Sequence, residues 1–154
     1  MPSSDLSQTG QSGPSYAGDI SPSETWKRLA QDPAARLIDV RTEAEWNFVG
    51  LPDLVSLSRQ PLLCEWQRFP GGQNLDFVAQ ASTALAQSGH SKGAPLFFLC
   101  RSGARSKAAA IAMTAHGYGP CFNIAHGFEG GLDAKCHRGL AGGWKAEGLP
   151  WIQT

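Results

Sequence analysis

The sequence predicts a three-layer α/β fold, a parallel sheet with helices on both faces. Three observations point to it. The runs Arg36–Val40, Leu96–Leu99 and Cys121–Ile124 are short and almost wholly apolar, the character of strands buried on both faces. Segments with apolar residues at helical spacing separate them. The most apolar run, Leu96–Leu99, passes straight into a glycine-bearing loop and an Ala-rich stretch, as strand, loop and helix succeed one another in such folds.

The elements follow in order. Residues 1–15 are Ser, Gly, Gln and Pro with almost nothing to bury, so a disordered tail is expected there and a single domain over 16–154. Ser21 to Glu24 (SPSE) offers an N-cap serine, a proline at the first helical position and an acid three residues past the cap. Trp26, Leu29 and Ala30 then fall on one helical face. Arg36–Val40 (RLIDV) reads as a strand, and Thr42–Glu45 (TEAE) repeats the capping pattern before a short helix carrying Trp46. Leu54–Ser58 is a further strand candidate, and Pro61–Gly72 reads as a loop closed by Pro70, Gly71 and Gly72. Asn74 is expected to cap a helix to about Ser88 with Phe77, Val78, Ala81 and Leu85 on one side. A helix from Ser106 to about His116, ended by Gly117, follows the Leu96–Leu99 strand. Cys121–Ile124 is the last strand, leading to the glycine-bearing Ala125–Ala134.

Composition narrows the function classes. At 154 residues the chain can bury a core without metal or disulfide support. Its 13 basic and 13 acidic side chains cancel, leaving no overall field to gather nucleic acid or an anionic membrane. No apolar run approaches the roughly 20 residues of a membrane span, and Met1–Asp19 lacks the pattern of a signal peptide, so a cytoplasmic location is expected. Cys64, Cys100, Cys121 and Cys136 form no CxxC pair, so thiols are expected rather than disulfides. No cofactor is called for, and the adjacent Cys136 and His137 lack a second pair at metal-ligand spacing.

Cys100 stands at the border between a buried strand and the cationic turn Arg101, Ser102, Gly103, Ala104, Arg105, Ser106. Ligands of parallel α/β sheets bind beyond the carboxyl ends of the strands. In a tight loop feeding a helix, backbone N–H groups and the positive helix end converge on the sulfur. Thiols so placed, with arginines nearby, reach pKa values of about 3.5–7.5 and act as nucleophiles at neutral pH. Gly103 supplies the backbone freedom that such a loop requires.

Leu37–Trp46 (LIDVRTEAEW), Cys100–Ser106 (CRSGARS), Gly127–Ala134 (GFEGGLDA) and Gly148–Trp151 (GLPW) together resemble the rhodanese family of sulfurtransferases, over about residues 18–151. The resemblance implies a rhodanese-like fold with five parallel strands and helices on both faces. It also implies a chemistry: Cys100 takes a sulfane sulfur from a small donor such as thiosulfate, becomes a persulfide, and passes the sulfur to cyanide, a thiol or a protein acceptor. By the same token the backbone N–H groups of Arg101 to Arg105 stabilise the thiolate, and the Arg101 and Arg105 guanidinium groups attract an anionic donor. Asp39 and Arg41, at a neighbouring strand end, either line the pocket or support it by binding backbone amides.

Two other function classes stand beside this one. Phosphatases and arsenate reductases of the same fold use a Cys-x5-Arg loop wide enough for a tetrahedral anion, whereas here four residues separate Cys100 from Arg105 and Ser106 takes the place of that arginine. A sulfur-carrier or regulatory binding module is the non-enzymatic alternative. Phe48–Leu57 departs from the family's GHIPGA-type segment, and Lys135–Gly143 reads as an extra stretch, either a surface loop or a lid or partner surface. Cys64, Cys121 and Cys136 are the candidates for a resolving thiol. Trp66 and Phe69 either rim the pocket or pack their loop. His90, His116 and His126 fall at helix ends and a turn, where capping or surface roles are expected.

Overall fold

The computed structural model describes residues 15–68 and 70–153. The expected tail therefore lies outside the described residues, apart from Ser15, and so does Phe69. The elements run β1 (Gly18–Ile20), α1 (Pro22–Gln31), β2 (Arg36–Asp39), α2 (Glu43–Val49) and β3 (Leu51–Pro52), then a 3-10 turn at Val55–Leu57. After it come β4 (Leu62–Leu63), β5 (Gln67–Arg68), β6 (Gly72–Gln73), α3 (Phe77–Gln87), β7 (Leu96–Leu99), α4 (Ala104–Ala115), β8 (Cys121–Ile124) and β9 (Trp151–Ile152). Five strands form one parallel sheet in the order β1–β8–β7–β2–β4, which puts β7 in the middle.

Local chemistry sets the helix starts. The Ser21 side chain accepts the Glu24 N–H at 3.1 Å, and Thr42 and Glu45 form a reciprocal capping box at the start of α2. Asn74 accepts the Asp76 N–H at 3.1 Å, so it shapes the turn before α3 while Asp76 occupies the N-cap position. In α1 the buried positions are Pro22, Thr25 and Leu29, and Ala30 faces outward. α4 begins at Ala104, two residues earlier than the sequence suggests, because Gly103 at φ 122 already turns the chain into the helix.

Two expected elements exchange places. Leu54–Ser58 is no strand: Asp53 accepts the Val55 N–H at 3.1 Å and Ser58 takes a left-handed conformation, so local turn chemistry overrides the apolar composition. The edge strand is β4, inside the expected loop, where backbone pairing with β2 supplies the bonds.

Each face of the sheet has its own core. On one, α3 and α4 pack Phe77, Leu85, Ala109 and Met113 against Ile38, Leu96 and Phe98. On the other, Leu29 of α1 joins Leu37, Phe97 and Leu99 together with Phe128 and Trp144 of the non-helical segment after β8. Trp144 is fully buried, meets Trp26 edge-on at 6.0 Å between centroids and donates its Nε1–H to the Pro150 carbonyl at 2.7 Å. It fastens residues 125–150 to the sheet without a helix. Trp144→Ala is expected to cost about 3–5 kcal/mol, measured by urea denaturation, with the helical far-ultraviolet signal of the native state retained.

Candidate active site on the loop after the central strand

β7 is buried at all four residues and leads directly into Cys100. Beyond it the chain is held from behind. The Cys100 carbonyl accepts the Phe128 N–H at 2.8 Å, and the Arg101 carbonyl accepts those of Glu129 and Gly130 at 3.0 and 3.2 Å. This contact requires Gly127, at φ 62, because a Cβ there would lie 2.4 Å from the Cys100 carbonyl oxygen. With those carbonyls turned away, the Gly103 N–H donates to the Cys100 sulfur at 3.1 Å. The Ser106 hydroxyl is also 3.1 Å from that sulfur. The expected convergence of N–H groups from Arg101 to Arg105 is thus narrower: among the described residues Gly103 alone brings its N–H within hydrogen-bond distance. Ser102 and Ala104 are exposed, and Ala104 opens α4.

Next to this loop opens a cleft of about 840 Å³ whose walls include Thr42, Glu45, Arg68, Arg101, Arg105 and Arg138. Cys100 itself, next in the chain to the wall residue Arg101, is 1% exposed and is not among the lining residues. Arg105 does not extend freely into the cleft: its Nη1 and Nη2 donate to Glu45 Oε1 and Oε2 at 2.7 and 2.9 Å, a bidentate pair. Arg101, by contrast, is exposed and makes no ion pair among the described residues. Burial alone would raise the Glu45 carboxyl. The bonds from Arg105 and the Thr42 backbone more than offset it and hold the group at about 2.

Asp39 and Arg41 do not line the cleft. Both are wholly buried and paired, Arg41 Nη2 to Asp39 Oδ2 at 2.6 Å, and Asp39 also accepts the Arg41 backbone N–H at 3.1 Å. Arg41 reaches on to the Gly50 carbonyl at 2.8 Å and lies 4.3 Å from the centroid of the Phe128 ring. The pair therefore joins β2 to the two segments that brace the Cys100 loop and the chain end. A Cβ on Gly50 would lie 2.7 Å from the Ile152 carbonyl, since β9 crosses it to pair with β3. In this way Phe48–Leu57, which departs from the family pattern, fits the C-terminal GLPW segment.

The remaining candidates separate by position. Burial pushes the Cys64 thiol up to about 11 and raises that of Cys121, which opens β8. Cys136 is exposed in the extra stretch, where Asp133 accepts the N–H groups of Lys135 and His137 at 2.8 and 2.9 Å. That stretch is no remote surface loop, because Arg138, tied to the Gly130 carbonyl at 2.8 Å, forms part of the cleft wall. Trp66 is partly buried and packs edge-on against the core residue Phe77 at 5.0 Å. His90 and His116 bond carbonyls near helix ends, and His126 takes φ 66 in its turn. Sequence reasoning missed Arg68 and Arg138, and saw in Glu45 only a cap. Nothing in their spacing marks them, since they come from separate elements.

The family described as the STR4 middle domain matches residues 17–154. An uncharacterized protein of Rickettsia rickettsii is 38% identical over 133 residues, covering 86% of this chain and 95% of its own. The crystal structure of Rv0390 from M. tuberculosis superposes with a TM-score of 0.83 at 48% identity, over 91% of this chain and all of the other. Two more distant structures show the fold alone. The polysulfide-sulfur transferase homodimer of Wolinella succinogenes has a TM-score of 0.54 at 24% identity, over 88% of this chain and 78% of its own. A rhodanese-like domain protein of Staphylococcus aureus has 0.52 at 19%, over 89% and 99%. The fold is rhodanese-like.

The Glu45–Arg105 pair generates a test. A carboxyl whose pKa falls on folding, here from 4.5 to about 2, contributes stability that is present above the higher value and lost as pH falls through the lower one. Glu45→Gln is expected to lower stability at neutral pH by on the order of 1 kcal/mol. It should also flatten the loss of stability between pH 4.5 and 2, followed by urea titrations across that range.

Proposed function

Because the chain belongs to the STR4 middle-domain family, we propose that it is a sulfurtransferase of the rhodanese type that works through a persulfide on Cys100. The observation that carries this reading is the Cys100 sulfur, held at the carboxyl end of the middle strand with the Gly103 N–H donating to it. An N–H aimed at the sulfur, at the start of α4, favours a negative charge there. The four-residue spacing to Arg105 suits one sulfur atom rather than a tetrahedral anion.

In the proposed reaction the Cys100 thiolate attacks the outer sulfur of thiosulfate. The new S–S bond forms as the old one breaks, and sulfite departs with its electron pair. The resulting Cys100 persulfide is then attacked at its terminal sulfur by cyanide or a thiol. Thiocyanate or a new persulfide leaves, and the thiolate is restored. Arg101 attracts the anionic donor, whereas Arg105 acts on the shape of the site through Glu45. Four free thiols fit a reducing compartment such as the cytoplasm, and residues 16–154 are taken as one domain. Phosphate or arsenate chemistry is disfavoured because Arg105 already grips a carboxylate.

One observation favours a second reading, that of a sulfur carrier: Cys100 is 1% exposed, a burial that slows repeated turnover with small reactants. Thiosulfate is expected to add one sulfur atom to the protein, seen by intact mass spectrometry, and Cys100→Ser to abolish the gain. Cyanide should then remove the sulfur and release thiocyanate over many turnovers. A persulfide that forms but resists cyanide would select the carrier, and a protein that takes up no sulfur would end both readings.

A further inference from the structure

A chain of polar groups runs from the Cys100 sulfur to the edge of the sheet. Ser106 Oγ lies 3.1 Å from that sulfur and 2.5 Å from Asn123 Oδ1. Asn123 Nδ2 donates to Asp19 Oδ1 at 3.0 Å, and the Tyr16 hydroxyl donates to the same oxygen at 2.9 Å. Ser106 and Asn123 are buried, on α4 and β8, and Asp19 is exposed on β1. A carboxylate only accepts, so Asp19 dictates which end of the Asn123 amide faces outward. The amide oxygen must then face Ser106, and two oxygens 2.5 Å apart need a proton between them.

Ser106 has one proton and three acceptors around it: Asn123 Oδ1, the Gly103 carbonyl at 3.2 Å and the Cys100 sulfur. A proton committed to Asn123 leaves Ser106 showing the sulfur a lone pair. That arrangement accepts a thiol S–H and disfavours a thiolate.

We infer that Asp19, through Asn123, holds the Ser106 hydroxyl turned away from Cys100, so that Asp19, Asn123 and Ser106 are positioning residues that restrain ionisation of the resting thiol. When Cys100 gives up its proton, the Ser106 hydroxyl can donate to the sulfur only if Ser106 and Asn123 Oδ1 move apart, so ionisation costs that bond. The inference deepens the sulfurtransferase reading and rests on it for its biological meaning. Its geometry and its test stand without sulfur transfer.

The charged groups facing these residues are known. Arg105, paired with Glu45, acts on Cys100. Lys107 and His126 act on Asp19, beside the Tyr16 hydroxyl. None of them is changed by the substitutions that follow.

The rate at which iodoacetamide alkylates Cys100 is measured against pH by mass spectrometry of the Cys100 peptide. Asp19→Ala frees the amide to turn its NH2 group toward Ser106, and the apparent Cys100 pKa is expected to fall by about one unit. Asp19→Asn removes the charge but keeps an acceptor for Asn123, so its profile should stay close to wild type. In a Ser106→Ala background, Asp19→Ala should shift nothing further. An Asp19→Ala profile that matches wild type overturns the inference. So does an Asp19→Asn shift as large as that of Asp19→Ala, which would reveal a simple charge effect. Sulfur uptake from thiosulfate, measured in parallel, bears only on the function reading, so the two can fail separately.

Discussion

Three backbone hydrogen bonds from Phe128, Glu129 and Gly130 to the carbonyls of Cys100 and Arg101 are the constraint on which the site depends. A peptide unit points its carbonyl and its N–H in opposite directions. Tying the Cys100 and Arg101 carbonyls to the turn behind the loop fixes two successive peptide planes, and the amide of the next residue on, Gly103, faces the sulfur. The glycines around the turn follow from this closeness. At Gly130 a Cβ would lie 2.2 Å from the Gly142 carbonyl oxygen, so the extra stretch closes on the same turn from its other side. The loop at the sulfur is one layer of a three-deep backbone stack.

Electrostatics are arranged around that stack in two depths. Beneath, Asp39 and Arg41 are paired with each other and lie out of solvent. Breaking such a pair strands a charge in the interior, so it holds β2, Gly50 and Phe128 in one arrangement. The Phe128 ring has the Arg41 guanidinium 4.3 Å from its centroid and the Lys145 ammonium 5.2 Å away. Above, the cleft wall carries Arg68, Arg101, Arg105 and Arg138 against Glu45 and Glu129. Of these arginines Arg105, paired bidentately with Glu45, is the one whose charge is most fully answered.

What could be read in the sequence was what residues do to near neighbours. Ser21 and Thr42 cap helices because their partners, Glu24 and Glu45, are three residues away. The buried strands were visible because both faces of β2, β7 and β8 must be apolar. Cys100 and Gly103 were visible because a loop between strand and helix needs them. The exchange between Leu54–Ser58 and β4 was not, since an edge strand of two residues is defined by its partner and a turn by one carboxylate. Nor was Glu45 as partner to Arg105, a contact across 60 residues of chain. The extra stretch was readable as an insertion, yet its place in the cleft wall depends on a glycine-to-glycine contact that composition does not show.

The described chain is closed at both ends by distant partners. β1 pairs with β8 across roughly a hundred residues, and β9 returns to β3. Such pairings cannot form until the later strand has been made, and contacts of long sequence separation slow folding. The brace behind Cys100 comes from residues 127–130, and the support for Gly50 from residues 151–152. During synthesis, then, Cys100 leaves the ribosome as an ordinary, unprotected thiol. It acquires its brace only after residues 127–130 have emerged, so the interval between the two is when it is most open to oxidation or to the wrong partner.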